Sequence, residues 1–182
     1  MRKLHLLPAL VAVVALVLVA SVANAASLGV GVFGGASAPV LQDDQAQGTM
    51  YGFRAPVKLV PLIAVEPFYS STQLGDKKLD IGSTTLTREG SDVTAYGLNA
   101  MLTMGGPLSF YPFAGIGEAK FKRTGQDEQF KTYQLGFGLG ISPFPKLSLD
   151  LRGEVEAAVD KDVSRKMVNV TVGASYAIFS LP

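Results

Sequence analysis

The residues best placed to do chemistry lie in the stretch LSLDLRGEVEAAV, Leu147 to Val159. Asp150, Arg152, Glu154 and Glu156 recur there at every second position. In an extended strand that spacing puts all four on one face, with Leu147, Leu149, Leu151, Val155, Ala157 and Val159 on the other. Carboxylates held so close could serve as general acid and base. They could equally be neutralised in ion pairs with arginine or lysine. Leu151, Val155, Ala158 and Val159 also fit a helical spacing, but Gly153 and the clean alternation upstream favour a strand.

Composition narrows the chemistry. The 182 residues include no cysteine, so there is no disulfide, thiol nucleophile or thiolate-held metal. The single histidine is His5. The chain starts with Arg2 and Lys3, continues in an apolar run from Leu6 to Val22 and reaches Ala23-Asn24-Ala25. A basic start, an apolar run and a small-x-small site mark a cleavable secretory signal peptide; an uncleaved anchor is the competing reading. The expected division is signal peptide 1–25 and mature domain 26–182. Removing Arg2 and Lys3 from sixteen basic residues leaves fourteen against fifteen acidic ones. A net charge so near zero points away from nucleic acid. Without His or Cys in the mature chain, we expect no enzyme, no cofactor and no metal centre.

Two short motifs carry little. GVGVFG, Gly29 to Gly34, matches a dinucleotide fingerprint, but Ala38-Pro39 follows where a helix should begin. Asn169-Val170-Thr171 is a glycosylation sequon lying inside a strand pattern.

Seven further segments alternate like the first: 27–35, 50–59, 62–71, 92–102, 108 to about 122, 130–141 and 167–179. Tight connections, Val60-Pro61, Thr103 to Pro107 and Ser142 to Lys146, alternate with longer ones, and that rhythm fits an antiparallel meander. Two segments raise difficulties. In the fifth, Ala114 and Ile116 share a parity with Glu118 and Lys120, which calls for a bulge or an end projecting beyond the apolar layer. In the second and third, Pro56 and Pro67 remove ladder donors, so bulges are expected there.

Alternation does not say which face is wet. The second face carries Gly52, Gly97, Gly136, Gly138, Gly140 and Gly173. Glycine weakens a solvent-facing strand, whereas in a narrow barrel it makes room for side chains from across the lumen. The same parity carries Arg54, Lys58 and Arg152 with Glu66, Asp150, Glu154 and Glu156, near balance for an enclosed ion-pair network. The apolar face therefore turns to lipid. Tyr51, Tyr69, Tyr96, Tyr133 and Tyr176 are the candidates for interfacial aromatics in a chain without Trp. A soluble β-barrel that binds a ligand is the minor alternative.

FYPFAGIG, YQLGFGLGI and LSLDLRGEVE, in that order, resemble strands of the eight-stranded outer-membrane barrels of the OmpA, OmpX and OmpW type. The resemblance implies an all-β, antiparallel up-and-down transmembrane barrel behind a cleaved signal peptide, in the bacterial outer membrane. It further implies a structural or interaction protein with a filled lumen. Its partners would be outer-membrane lipid and lipopolysaccharide, the assembly machinery during insertion, and surface-layer or host ligands at the loops. A narrow porin-like channel for small or apolar solutes is the alternative. One departure concerns the end: such barrels usually close on an aromatic residue with Tyr two positions earlier, but Tyr176 and Phe179 are three apart. Asp43-Asp44, Asp127-Glu128 and Asp160/Asp162 fall in expected outer loops as ordinary solvated charge.

Overall fold

β-branched and aromatic residues at alternate positions, punctuated by Gly, Pro and Asp turns, dictate strands throughout. A computed structural model describes residues 27–40, 46–81, 84–123, 126–161 and 163–180; the expected signal peptide, 1–25, lies outside them. The strands are β1 (Ser27–Val40), β2 (Gly48–Arg54), β3 (Val57–Val60), β4 (Ile63–Leu74), β5 (Lys77–Ile81), β6 (Thr84–Arg88), β7 (Ser91–Leu102), β8 (Met104–Gly105), β9 (Leu108–Arg123), β10 (Gln126–Phe144), β11 (Leu147–Asp160) and β12 (Val163–Ser180). β1, β2 with β3, β4, β7, β9, β10, β11 and β12 pair antiparallel in chain order, and β12 pairs back onto β1. Eight staves thus close into a barrel, which removes the open edge that a flat sheet would present. β5 and β6 form a separate hairpin. The stretch with two local readings, around Leu151 to Val159, is strand β11.

Side chains sort by parity as expected. Leu149 is 38 %, Leu151 48 % and Val170 51 % exposed, while Arg152 is 8 % and Glu66 0 % exposed. The apolar set covers the outside. On β10 the outward run Tyr133, Leu135, Phe137, Leu139, Ile141 spans roughly 26 Å of strand at about 3.3 Å per residue. At a tilt of about 40° its backbone height is roughly 20 Å, most of the apolar belt of about 25 Å of an outer-membrane barrel.

Several details differ from expectation, each for a physical reason. Arg123 to Gln129 is mostly strand, because β9 and β10 stay paired up to Arg123 and Gln126. Asp127 and Glu128 therefore sit in β10 and not in a loop, Asp160 ends β11, and Asp43, Asp44 and Asp162 lie outside the described residues. Glu118 and Lys120 pair with β7 and β10 in unbroken register. They face outward where the strands rise above the apolar belt, so a projecting end and not a bulge explains their parity. The prolines produce no bulge at their own positions. β4 runs straight through Pro67, and the second stave is interrupted between Arg54 and Val57 with the same register on both sides; its register against β4 shifts only further on, between Lys58 and Val60. Two backbone bonds hold the gap: Ala55 N donates to Pro67 O (2.9 Å) and Gly29 N to Pro56 O (2.8 Å).

A bulge does occur where β1 meets β12. The pairs Gly29–Ala177 and Leu28–Phe179 leave one extra residue on β12. An extra residue reverses parity. Tyr176 and Phe179, three apart in sequence, consequently both face outward, 50 % and 54 % exposed.

Candidate functional site

The polar parity of the staves converges on the lumen. Arg54 ends β2, Glu66 lies on β4, and Asp150 and Arg152 sit two residues apart on β11. Arg152 clamps Glu66 through two parallel bonds, Nη1 to Oε1 at 2.5 Å and Nη2 to Oε2 at 2.8 Å. Its Nε donates to the Tyr111 hydroxyl (3.0 Å) and to Asp150 Oδ1 (3.2 Å). Arg54 Nη2 binds the other oxygen of Asp150 and its Nε lies 4.0 Å from Glu66. Two arginines and two carboxylates thereby form one cycle across the barrel, the bidentate fork being the strongest link. Aromatic faces line it: the Arg152 guanidinium lies 5.1 Å from the Tyr111 ring and 5.5 Å from Phe113, and that of Arg54 5.6 Å from Phe33. Such stacking favours a desolvated cation.

Glycine makes this packing possible. A Cβ built on Gly173 would strike the Arg54 guanidinium, one on Gly138 the Tyr111 ring, and one on Gly136 would come within 2.6 Å of Phe113. Replacing Gly138 by Ala should therefore cost roughly 1–3 kcal/mol through overpacking. Urea titration of the barrel in detergent, read by its heat-dependent gel shift, measures this. A Gly138→Ala barrel as stable as the parent would refute the packing role.

The remaining candidates part ways. Glu154 and Glu156 also point inward, but they meet no cation within ion-pair distance among the described residues. Asn169 Nδ2 donates to both, at 2.8 Å to Glu154 Oε1 and 3.3 Å to Glu156 Oε2. Lys58 stays out of the lumen: it pairs beside Ala64 on the inward parity but lies exposed at the rim. Parity predicts its face and says nothing of its height. The deep charges are therefore two arginines and four carboxylates, not the near balance expected.

Sequence reasoning missed a second lumen layer. Phe68, Leu74, Val93, Ala95, Ala119, Phe121, Phe130, Ala158 and Met167 form one buried apolar cluster on the inward parity. Phe121 and Phe130 meet edge-on, centroids 5.1 Å apart, and Arg165 lies over both rings while bonding Glu128 at 2.6 Å. Large apolar residues at positions 121, 130 and 167, on the parity otherwise read as polar, were the available signal. The space left beside Arg54, Glu66, Arg152 and Glu154 amounts to about 20 Å³, room for a single water molecule.

All five candidate tyrosines face outward, between 42 % and 54 % exposed. Tyr69 lies opposite Tyr96, and the Tyr96 hydroxyl donates to Glu118 at 2.5 Å, which Gln129 also bonds at 2.9 Å. Tyr133 sits where the outward row passes from Leu135 to Lys131, at one edge of the apolar belt. Tyr176 lies towards the chain ends, next to Leu147.

A closed eight-stave barrel with an apolar exterior and a lumen filled by an ion-pair layer and an apolar layer is the geometry of a small outer-membrane protein. The family model described as outer membrane protein beta-barrel domain matches residues 9–176. The chain belongs to that family. Its place is the bacterial outer membrane; in barrels of this class the short turns lie on the periplasmic side and the longer loops outside the cell. Solved structures agree on the fold. Neisserial surface protein A is 12 % identical with a TM-score of 0.59, over 83 % of this chain and 96 % of that one. A major outer membrane protein of Thermus thermophilus is 14 % identical at 0.60, over 84 % and 99 %. The Yersinia pestis outer membrane protein Ail, in a phospholipid nanodisc, is 18 % identical at 0.52, over 84 % and 99 %. No curated protein matches the chain in sequence.

Proposed function

We propose that this barrel, exported by the signal peptide at 1–25, is a closed, non-catalytic protein of the outer membrane that serves envelope structure and surface contact. What supports this reading is its filled lumen. A solute would have to displace Phe68, Phe121, Phe130 and Met167, then break the Arg152–Glu66 fork, to reach the other side. A desolvated pair of this kind opens reluctantly, since each separated charge loses its partner in a low-dielectric space. The extracellular end, by contrast, is rich in charge of both signs. Lys120 and Lys131 face outward just above the apolar belt, suited to lipopolysaccharide phosphates, and the β5–β6 hairpin carries Lys77, Lys78, Asp80 and Arg88. Partners at the cell surface would meet that end, and the assembly machinery would act during insertion.

Planar-bilayer recording tests the closure. Purified barrel is expected to give no stable conductance steps. Long-lived steps of uniform size would instead favour a narrow porin-like channel and overturn the closed reading.

A further inference from the structure

The periplasmic end of the barrel differs sharply from the extracellular end. Across 57–64, 103–109, 142–149 and 175–180, the residues of the short turns and strand ends there, the only charged side chains are Lys58 and Lys146. Both are exposed. Lys58 is the lysine that the lumen network leaves out. Ser27 of β1 pairs with Lys58 on one side and with Ser180 of β12 on the other, while Ala177 N donates to Lys146 O at 2.8 Å. The two lysines thus bracket β12 and β1. Three strand spacings separate β11 from β3, about 14 Å.

Directly above this bracket, on the lipid-facing surface, lies an apolar groove of about 690 Å³. Small or flat residues make its floor, Ala55, Pro67 and Ala174; larger rings flank it, Phe53, Tyr69 and Tyr176. Its position follows from the interruption of the second stave at Ala55-Pro56. Leu147, the neighbour of Lys146, closes its lower end. It is a broad, open depression in the outer surface and not an enclosed cavity.

We propose that this groove and its two lysines hold one anionic phospholipid of the periplasmic leaflet. An acyl chain fills the groove and the phosphate meets Lys58 and Lys146. Three observations select that occupant. The groove opens to the acyl layer and not to water, it lies at the end of the short turns, and the four stretches below it carry two lysines and no Asp or Glu. Lipopolysaccharide, in the opposite leaflet, would enter from the far end.

Native mass spectrometry of the full mature barrel in detergent tests this, after incubation with phosphatidylglycerol, with diacylglycerol lacking the phosphate, or with lipopolysaccharide. The parent is expected to retain one phosphatidylglycerol and to retain diacylglycerol far less. Lys58→Ser with Lys146→Ser should weaken phosphatidylglycerol retention roughly tenfold or more. Ala174→Phe, which fills the groove, should abolish it, while Leu139→Phe, elsewhere on the outer face, should leave it unchanged. Each variant is checked for its heat-dependent gel shift, which reports folding. Retention insensitive to Ala174→Phe, equal retention of diacylglycerol, or lipopolysaccharide lost on filling the groove would each overturn the proposal. The closed lumen is read by conductance, so the two readings fail separately.

Discussion

Arg152→Ala is expected to lower the unfolding free energy by about 3–5 kcal/mol, the usual cost of stripping one partner from a buried ion pair. The size follows from geometry. Arg152 is 8 % exposed and supplies both links to Glu66, which is fully buried. It also supplies one link to Asp150 and one to Tyr111. Removing it leaves the Glu66 carboxylate with only Arg54 at 4.0 Å. A second variant separates charge imbalance from lost contact. Arg152→Met combined with Glu66→Leu removes both charges and should recover most of the loss, because apolar pairs of similar volume often match a buried salt bridge. The exposed pair Arg165–Glu128 gives the contrast: its side chains are 21 % and 46 % accessible, so Glu128→Gln should change stability by less than about 1 kcal/mol. Urea titrations in one detergent settle all three. A loss below about 1 kcal/mol for Arg152→Ala, or a double variant no better than the single one, would show that the cycle does not hold the staves together.

Much of this arrangement is legible in the sequence, because a strand's side-chain period is strict. Asp150, Arg152, Glu154 and Glu156 had to share a face, and Leu149 and Leu151 the other. Glycines at 136, 138 and 173 marked the face that needed room. What parity cannot supply is height along the barrel. Arg54 and Lys58 have the same parity, yet the interruption at Ala55-Pro56 lies between them and Lys58 emerges at the rim. Nor does parity fix the chemistry of an interior. A lumen closed by side chains is satisfied by Phe121 against Phe130 as well as by an ion pair, so the apolar layer escaped notice among residues read as polar. Pro56 and Pro67 produce a gap in place of the expected bulges. Losing one ladder donor on each of two facing strands opened a gap, because Ala55 N and Gly29 N still found carbonyls and no extra residue was needed. The register shifts fall instead between β3 and β4 at Lys58/Val60, between β10 and β11 at Ile141/Phe144, and between β1 and β12, where the extra residue gives Tyr176 and Phe179 a common face.

The orientation of the whole molecule admits a test of comparable size. Leu151 faces outward opposite Leu139 and Val172, within the apolar belt and away from both of its edges. Leu151→Arg is expected to cost about 2–4 kcal/mol in a lipid bilayer, the penalty for a guanidinium near the midplane of a transmembrane barrel. The same change on a water-facing sheet would fall within about 0.5 kcal/mol. The two environments thus predict effects that differ several-fold for one substitution at one half-exposed site. Lys120→Leu supplies the reciprocal case: it lies on the same outer face but above the belt, where its charge is solvated, and its change should be small. Reversible folding into phosphatidylcholine vesicles, followed by denaturant titration, reads both. Should Leu151→Arg prove neutral while Lys120→Leu is costly, the outer surface of the barrel would have to be wet, and the groove, the belt and the interfacial tyrosines would lose their common basis.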